Sequence, residues 1–479
     1  MVGASDSGRG VGFLQPLIDF GFKGKIYPVN PKYSEISNLK AYPTIRDIPG
    51  TVDYVISAVP AQEVPKVLED CSQKGVKVIH LYTARFSETG RQEAIELEKE
   101  VLNRAKKWGI RLIGPNCMGV YYPKQRISFR ADFPTESGIV GLASQSGQAA
   151  GEIIQTSTQR GIFFSKAISY GNAIDFNECD FLDYLSQDPE TKLIMMYIEG
   201  VKDGQRFFNI LRQTAATKPV IIIKGGRGKS GARAASSHTA SLAGSMEILN
   251  TLITQAGAVL AASIEELVDL AVSFYFLPPI RGRRVGVAAG AGGASVLAAD
   301  QCEEAGLDVI PLPTEIREEL KSKGVLIWDW ISNPADFSIN MGDSDFGPQE
   351  LLQMMAQNPN FDLIIASVGS PGRGGPPGRG GPPHRGGPPG RGGPPSWVHP
   401  GQQSVDTFLE QYKKINNLKP VLGLVPDRSP GTDDWDEERW KSTCEVTAKL
   451  IENKIPFYPT IGRAARAASK LIDYYQSRG

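Results

Sequence analysis

The 479-residue chain is poor in the residues that build metal and disulfide sites: it has four histidines and five cysteines. Cys71, Cys117, Cys179, Cys302 and Cys444 are scattered without Cys-x-x-Cys spacing, which argues against both a disulfide framework and a zinc site. No apolar run approaches the ~20 residues needed to span a bilayer. The first ten residues, Met-Val-Gly-Ala-Ser-Asp-Ser-Gly-Arg-Gly, are too polar for a signal peptide, so a cytoplasmic protein is expected. There is no net charge either: 52 Lys and Arg balance 52 Asp and Glu, leaving no global field to recruit nucleic acid or an anionic membrane. What remains is the composition of a globular protein, long enough for about three domains.

Short β-branched runs alternate with helical patterns almost throughout. The clearest strand candidates are Lys25–Val29, Asp53–Ala58, Lys77–Leu81, Arg111–Ile113, Ile139–Ala143, Leu193–Tyr197 and Val220–Lys224, followed by Arg284–Ala289, Leu363–Val368 and Val421–Val425. Segments such as Glu88–Lys107 and Ser245–Ala256 carry apolar residues at helical spacing between them. This alternation predicts an α/β protein of parallel sheets covered on both faces. The polar stretch Ala131–Glu136 and the Pro-Pro turn Pro278–Arg283 mark boundaries, giving domains over 1–130, 131–279 and 280–479. Residues 372–395 break the pattern, repeating Gly-Arg-Gly-Gly-Pro-Pro with no acid and no aliphatic residue. Such a segment cannot offset its ordering entropy by burial and is expected to be a disordered insertion, a tolerated loop expansion rather than a nucleic-acid arm.

His238 stands in a run of small and hydroxylic residues, Gly225 to Gly244, that is hard to bury and easy to wrap around an anion. A neutral imidazole there is a competent nucleophile; the plain alternative is a loop histidine bonded to a neighbouring hydroxyl. Two further segments have the make-up of anion sites at helix N-termini. Gly3, Ser5, Asp6, Ser7 and Gly8 belong to a glycine-rich turn ahead of a helix, and Ser144, Gln145, Ser146 and Gly147 follow a strand and open another. Each is also compatible with an ordinary turn. Glu199 closes an apolar strand, where α/β sheets place their ligands, or caps that strand in solvent.

Ser237-His-Thr-Ala-Ser-Leu-Ala-Gly244 resembles the phosphohistidine loop of the nucleoside-diphosphate-forming acyl-CoA synthetases, relatives of succinyl-CoA synthetase, in their alpha subunit. Further motifs of that family follow in the same order. They are Val29-Asn-Pro-Lys32, Ala58-Val-Pro-Ala61, Phe86-Ser-Glu-Thr-Gly90, Gly114-Pro-Asn-Cys-Met-Gly119, Ser144-Gln-Ser-Gly147, Gly171-Asn172 and Tyr197-Ile-Glu-Gly200. The resemblance implies a Rossmann-like CoA-binding domain followed by two flavodoxin-like parallel-sheet domains. It implies that His238 carries the phosphoryl group and that Glu199 accepts the N–H of the ring nitrogen left unphosphorylated. Ser144, Gln145, Ser146, Gly147, Gly171 and Asn172 would surround the phosphate. Gly3, Ser5, Asp6, Ser7, Gly8, Lys32, Val59, Pro60, Thr83 and Ala84 would hold coenzyme A. Cys117 would be a packing residue, not a nucleophile.

The reaction so implied interconverts acyl-CoA, phosphate and ADP with a carboxylic acid, CoA and ATP. No stretch of the chain reads as the ATP-grasp domain needed for the nucleotide. Mg-ATP or ADP is therefore expected on an ATP-grasp beta subunit, in a hetero-oligomer for which two alpha and two beta chains is one arrangement. Three positions depart from the family pattern: only Met1 and Val2 stand where a first strand is expected, Arg85 replaces a glycine, and Ala240 replaces another. They keep open a different reading, a non-catalytic CoA or acyl-CoA binder with a vestigial histidine loop.

Overall fold

The computed structural model of the chain describes residues 1–5, 11–228, 230–231, 246–289, 292–326, 328–336, 348–368, 405–429 and 434–478. The chain forms two compact units, Met1–Ala271 and Val272–Gly479. His238, Asp6, Ser7, Gly8, Ala240 and the repeats of 372–395 lie outside the described residues.

The first unit holds two main sheets, one parallel and one parallel but for an edge strand, beside a small antiparallel hairpin. The hairpin, β1 (Glu35–Ile36) and β2 (Leu39–Lys40), precedes β3 (Tyr54–Ser57), β4 (Val78–Leu81) and β5 (Arg111–Ile113), which pair in that order. Val2 extends the sheet, bridging in parallel to Ser57 on one side and to Val29 on the other. It donates to the Ile56 carbonyl at 2.8 Å and accepts from the Ala58 amide at 2.9 Å. Of the strand expected over Lys25–Val29, only Val29 pairs; Pro28 has no N–H to offer a ladder.

Helix α1 (Val11–Asp19) precedes this sheet, α2 (Val64–Lys74) links β3 to β4, and α3 (Gln92–Trp108) links β4 to β5. α2 and α3 each stop at a glycine in the left-handed conformation, Gly75 at φ 79° and Gly109 at φ 67°. α3 begins four residues later than its apolar spacing suggests. Residues Ser87–Thr89 form a separate tight turn, because the Glu88 carboxylate accepts from the backbone N–H groups of Arg85 and Phe86.

The second sheet contains β6 (Gly119–Tyr121), β7 (Val140–Ser144), β8 (Phe164–Ser169), β9 (Leu193–Ile198), β10 (Val220–Lys224) and β11 (Val259–Ala261). Their order is β11-β10-β9-β7-β8-β6, parallel except for β6 against β8. From β8 to β11 this is the doubly wound order in which the chain steps outward from its first strand and then reverses across it. β10, Val-Ile-Ile-Ile-Lys, is buried along its whole length, as an unbroken apolar run in a parallel sheet should be. Each such side chain removed from water contributes about 1.5–3 kcal/mol. The covering helices include α4 (Gly147–Thr158), α5 (Glu178–Gln187) and α6 (Gly204–Ala215). Ile113 and Cys117 share one buried cluster with Ala143, Ile168 and Ile194, so the two sheets of this unit are packed together.

The second unit is built on β12 (Val285–Ala288), β13 (Leu363–Ser367), β14 (Val421–Leu424) and β15 (Phe457–Tyr458), all parallel and in sequence order. Its core gathers Ile364, Phe408, Val421 and Leu450 with side chains of the helices Thr314–Ser322 and Pro348–Gln357. No helix among the described residues is long and apolar enough to cross a membrane.

Candidate active site

β7 and β9 are the adjacent strands at which the second sheet changes winding direction, and the carboxyl ends of such a pair are where α/β sheets place their ligands. Ser144 ends β7 opposite Tyr197 of β9. Its hydroxyl donates to the Ser146 carbonyl at 2.7 Å and accepts from the Ser146 amide at 3.2 Å. The Ser146 hydroxyl accepts from the Ala149 amide at 3.2 Å, capping α4. Gly147 has no room for a side chain, since a Cβ there would lie 2.4 Å from Cγ of Met118.

Gln145, almost fully buried, joins the turn to the next strand. Its carboxamide oxygen accepts from the backbone amides of Glu199 and of Gly200, the latter at 3.0 Å. The side chain of Tyr197 donates to the Glu199 carboxylate at 3.4 Å. On the far side, the Gly225 amide donates to the Ile198 carbonyl at 2.8 Å, and a Cβ on Gly225 would meet the Tyr197 hydroxyl at 2.4 Å. The segment that leads to His238 therefore leaves the sheet beside Glu199. Lys224, buried at the end of β10, has its ammonium pushed down by desolvation, with the Glu199 charge opposing that shift.

Gly171 and Asn172 follow the end of β8 beside β7. Gly171 is left-handed at φ 54°, and a Cβ on it would fall 2.2 Å from the Pro115 carbonyl oxygen. Asn172 donates through its carboxamide to Glu88 at 2.7 Å and accepts from Asn116 at 3.4 Å. The structure thus brings Ser144, Gln145, Ser146, Gly147, Gly171, Asn172 and Glu199 around one set of strand ends. Asn116, Glu88 and Lys224 belong to the same surroundings, and periodicity and composition gave no sign of them.

A cavity of about 1020 Å³ lies at the carboxyl ends of β3 and β4, lined by residues 58–62 and 82–85, by Asn116 and by one face of α3. Val59, Pro60, Thr83 and Ala84 are all in its wall. The Thr83 hydroxyl donates to the Val59 carbonyl at 2.8 Å and so ties the two loops together. Arg85 lines it too, at φ 80°, a conformation that a glycine adopts freely and that costs other residues roughly 1–2 kcal/mol. The Glu88 carboxylate, accepting from the Arg85 amide, offsets that strain. Gly3 is left-handed at φ 81°, close against the Ala58 backbone, and Lys32 is exposed on its turn; neither they nor Ser5 line the cavity. Cys117 is buried with its thiol pushed far up by desolvation, the opposite of what a nucleophile needs.

Residues 1–123 match the CoA binding domain family and residues 137–274 match the succinyl-CoA ligase like flavodoxin domain. The alpha subunit of acetate–CoA ligase [ADP-forming] II from Pyrococcus furiosus is 33% identical over 481 aligned positions, covering 100% of this chain and 96% of that protein. The chain belongs to the ADP-forming acyl-CoA ligases. The alpha subunit of the Pyrococcus furiosus isoenzyme I is 39% identical over 64% of this chain. An acetate–CoA ligase [ADP-forming] of Methanocaldococcus jannaschii is 40% identical over 67%, and this chain spans only 45% of that protein's length. Among solved structures, the dinucleotide-forming acetyl-coenzyme A synthetase 1 of Ca. Korarchaeum cryptofilum, in complex with phosphate and ADP, superposes with a TM-score of 0.76 at 29% identity. It covers 100% of this chain and 95% of that one. The ligase is thus an acid–thiol ligase with a CoA-binding domain, and its α/β fold of parallel sheets is the one expected from its sequence.

Proposed function

We propose that this ligase is an alpha subunit that converts acyl-CoA, phosphate and ADP to a carboxylic acid, CoA and ATP, and the reverse. A phosphate oxygen attacks the thioester carbonyl and CoA leaves as thiolate, giving an acyl phosphate. The His238 imidazole then attacks phosphorus, the carboxylate leaves, and the phosphohistidine passes its phosphoryl group to ADP. The observation that carries this reading is the Gln145–Glu199 pair at the winding reversal, with the segment leading to His238 emerging next to it. A carboxylate there fixes the imidazole tautomer and stabilises the cation formed on transfer. The amides at the start of α4 suit the phosphate, and the cavity at β3 and β4 suits coenzyme A.

The alpha subunits among its relatives support a partner chain, and we assign to it the ATP-grasp fold and the Mg-ATP or ADP site. The division into 1–130, 131–279 and 280–479 belongs to the same reading. The test is reconstitution. Alone, the ligase should bind CoA yet make no ATP from acyl-CoA, ADP and phosphate; with an ATP-grasp partner it should gain that activity and co-elute. Assembly and CoA binding without ATP synthesis from any acyl-CoA would favour a non-catalytic binder.

A further inference from the structure

The loop after β8, Gly171–Ala173, is held by Lys202, which follows the end of β9. Gly171 and Ala173 both take left-handed backbone conformations, φ 54° and 55°, and Ala173 does so without the freedom of glycine. Their chain path turns the carbonyls of Asn172 and Ala173 toward Lys202, whose ammonium donates to both, at 3.0 Å to Asn172. Lys202 is itself fixed, because its backbone amide donates to the Glu178 carboxylate at 2.6 Å, and Glu178 is fully buried at the start of α5. The other carboxylate oxygen of Glu178 has no hydrogen-bond partner among the described residues, and burial holds that carboxyl above its usual range. Desolvation lowers the Lys202 ammonium, partly countered by the charges of Glu178 and Glu98. A lysine held in this way acts as a short, charged strut between two main-chain oxygens.

From the same loop the Asn172 side chain reaches the other way, donating to Glu88, whose carboxylate also organises the turn at Arg85 and Phe86 on the wall of the large cavity. We propose that Lys202 is a positioning residue of the ligase: by tying down the Asn172 and Ala173 carbonyls it sets the phosphate-side loop and aims Asn172 at Glu88. It touches neither substrate in this role. The proposal rests on the phosphate reading of Gly171 and Asn172 given above.

The test compares Lys202→Met and Lys202→Arg in the full chain reconstituted with an ATP-grasp partner, with CoA binding to the chain measured by calorimetry. Lys202→Met should raise the KM for phosphate by roughly ten-fold or more, the effect of losing charge-assisted hydrogen bonds. CoA affinity should stay within about three-fold, because Glu88 keeps its two backbone donors. Lys202→Arg, which can still donate to two carbonyls, should restore most of the phosphate KM. A second measurement is independent of activity: amide hydrogen exchange at residues 171–174 of the unliganded chain should speed up in Lys202→Met and not in Lys202→Arg. Unchanged phosphate KM, or equal loss in both variants, overturns the positioning role. If the wild-type pair proves inactive with every acyl-CoA, the proposed function fails. Lys202 is then judged by exchange alone, where equal protection in wild type and Lys202→Met removes the strut.

Discussion

The His80 imidazole fills the space in which a side chain on Gly119 would have to begin: a Cβ there would lie 2.3–2.9 Å from three ring atoms. Gly119 is also left-handed, at φ 84°. The ring is held by Nε2 donating to the Cys117 carbonyl at 3.0 Å, with Phe13 edge-on and Tyr54 stacked beside it. Gly119→Ala should therefore cost about 2–4 kcal/mol through overpacking and backbone strain together. Urea denaturation measures the loss. In a His80→Ala background Gly119→Ala should cost only the strain part; an equal cost in both backgrounds would show that the ring is not the obstacle.

The same burial makes His80 a source of acid sensitivity. Desolvation lowers its pKa from 6.5 to about 4, against the hydrogen bond to Cys117. Between those values the unfolded chain binds a proton that the native chain does not, so stability falls as pH drops and rises as pH climbs. This group contributes nothing to the pH dependence above about 6.5 and removes roughly 3 kcal/mol by pH 4. His80→Gln keeps an N–H donor and does not titrate. It should flatten the stability profile over pH 4–6.5, and an unchanged slope would point to other groups.

How far the sequence could be read depended on how plainly each element carried its pattern. β9, and β10 up to its closing lysine, are apolar and could be read directly from the chain. β8, Phe-Ser-Lys-Ala-Ile-Ser, went unread although all six residues are buried, because its lysine and serines hide the apolar signal. Lys166 is tolerated there by Asp188 at 2.7 Å and Glu190 at 3.0 Å, partners separated from it by more than twenty residues. Tertiary ion pairing of this kind has no local signature. The turn Ser144–Gly147 and the strand-end Glu199 could be picked out as a helix start and a strand end, but only the strand order puts them side by side. Glu88, Asn116, Lys202 and Lys224 act through contacts between elements, so spacing along the chain could not single them out.

Gln145 is the side chain that joins those two strand ends. Gln145→Ala would leave the amides of Glu199 and Gly200 without their shared acceptor in a buried setting, a loss of roughly 1–3 kcal/mol. Because the strand end that carries Glu199 would shift, turnover by the reconstituted ligase should fall more than stability does, by about 10²-fold or more. Steady-state kinetics beside thermal melts separate the two. Equal wild-type turnover in a folded Gln145→Ala would mean that the pair has no part in orienting Glu199.

Phosphoryl transfer to His238 gives the most direct test of the chemistry. Incubated with an ATP-grasp partner and labelled ATP, the ligase should acquire a phosphate that is lost in acid and kept in base, as an N-linked phosphoryl group is. His238→Asn should remove the label entirely, and label that persists there would place the carrier elsewhere. Glu199→Gln should leave the fold intact while slowing labelling by ~10²-fold or more, since a carboxamide neither enforces the tautomer nor stabilises the imidazolium as a carboxylate does. The two variants also answer different questions. Loss of label in His238→Asn with normal labelling in Glu199→Gln would keep the carrier and remove Glu199 from its assigned role. In that case Lys224, a buried charge at the end of the neighbouring strand whose ammonium is already depressed by desolvation, would be the next group to vary.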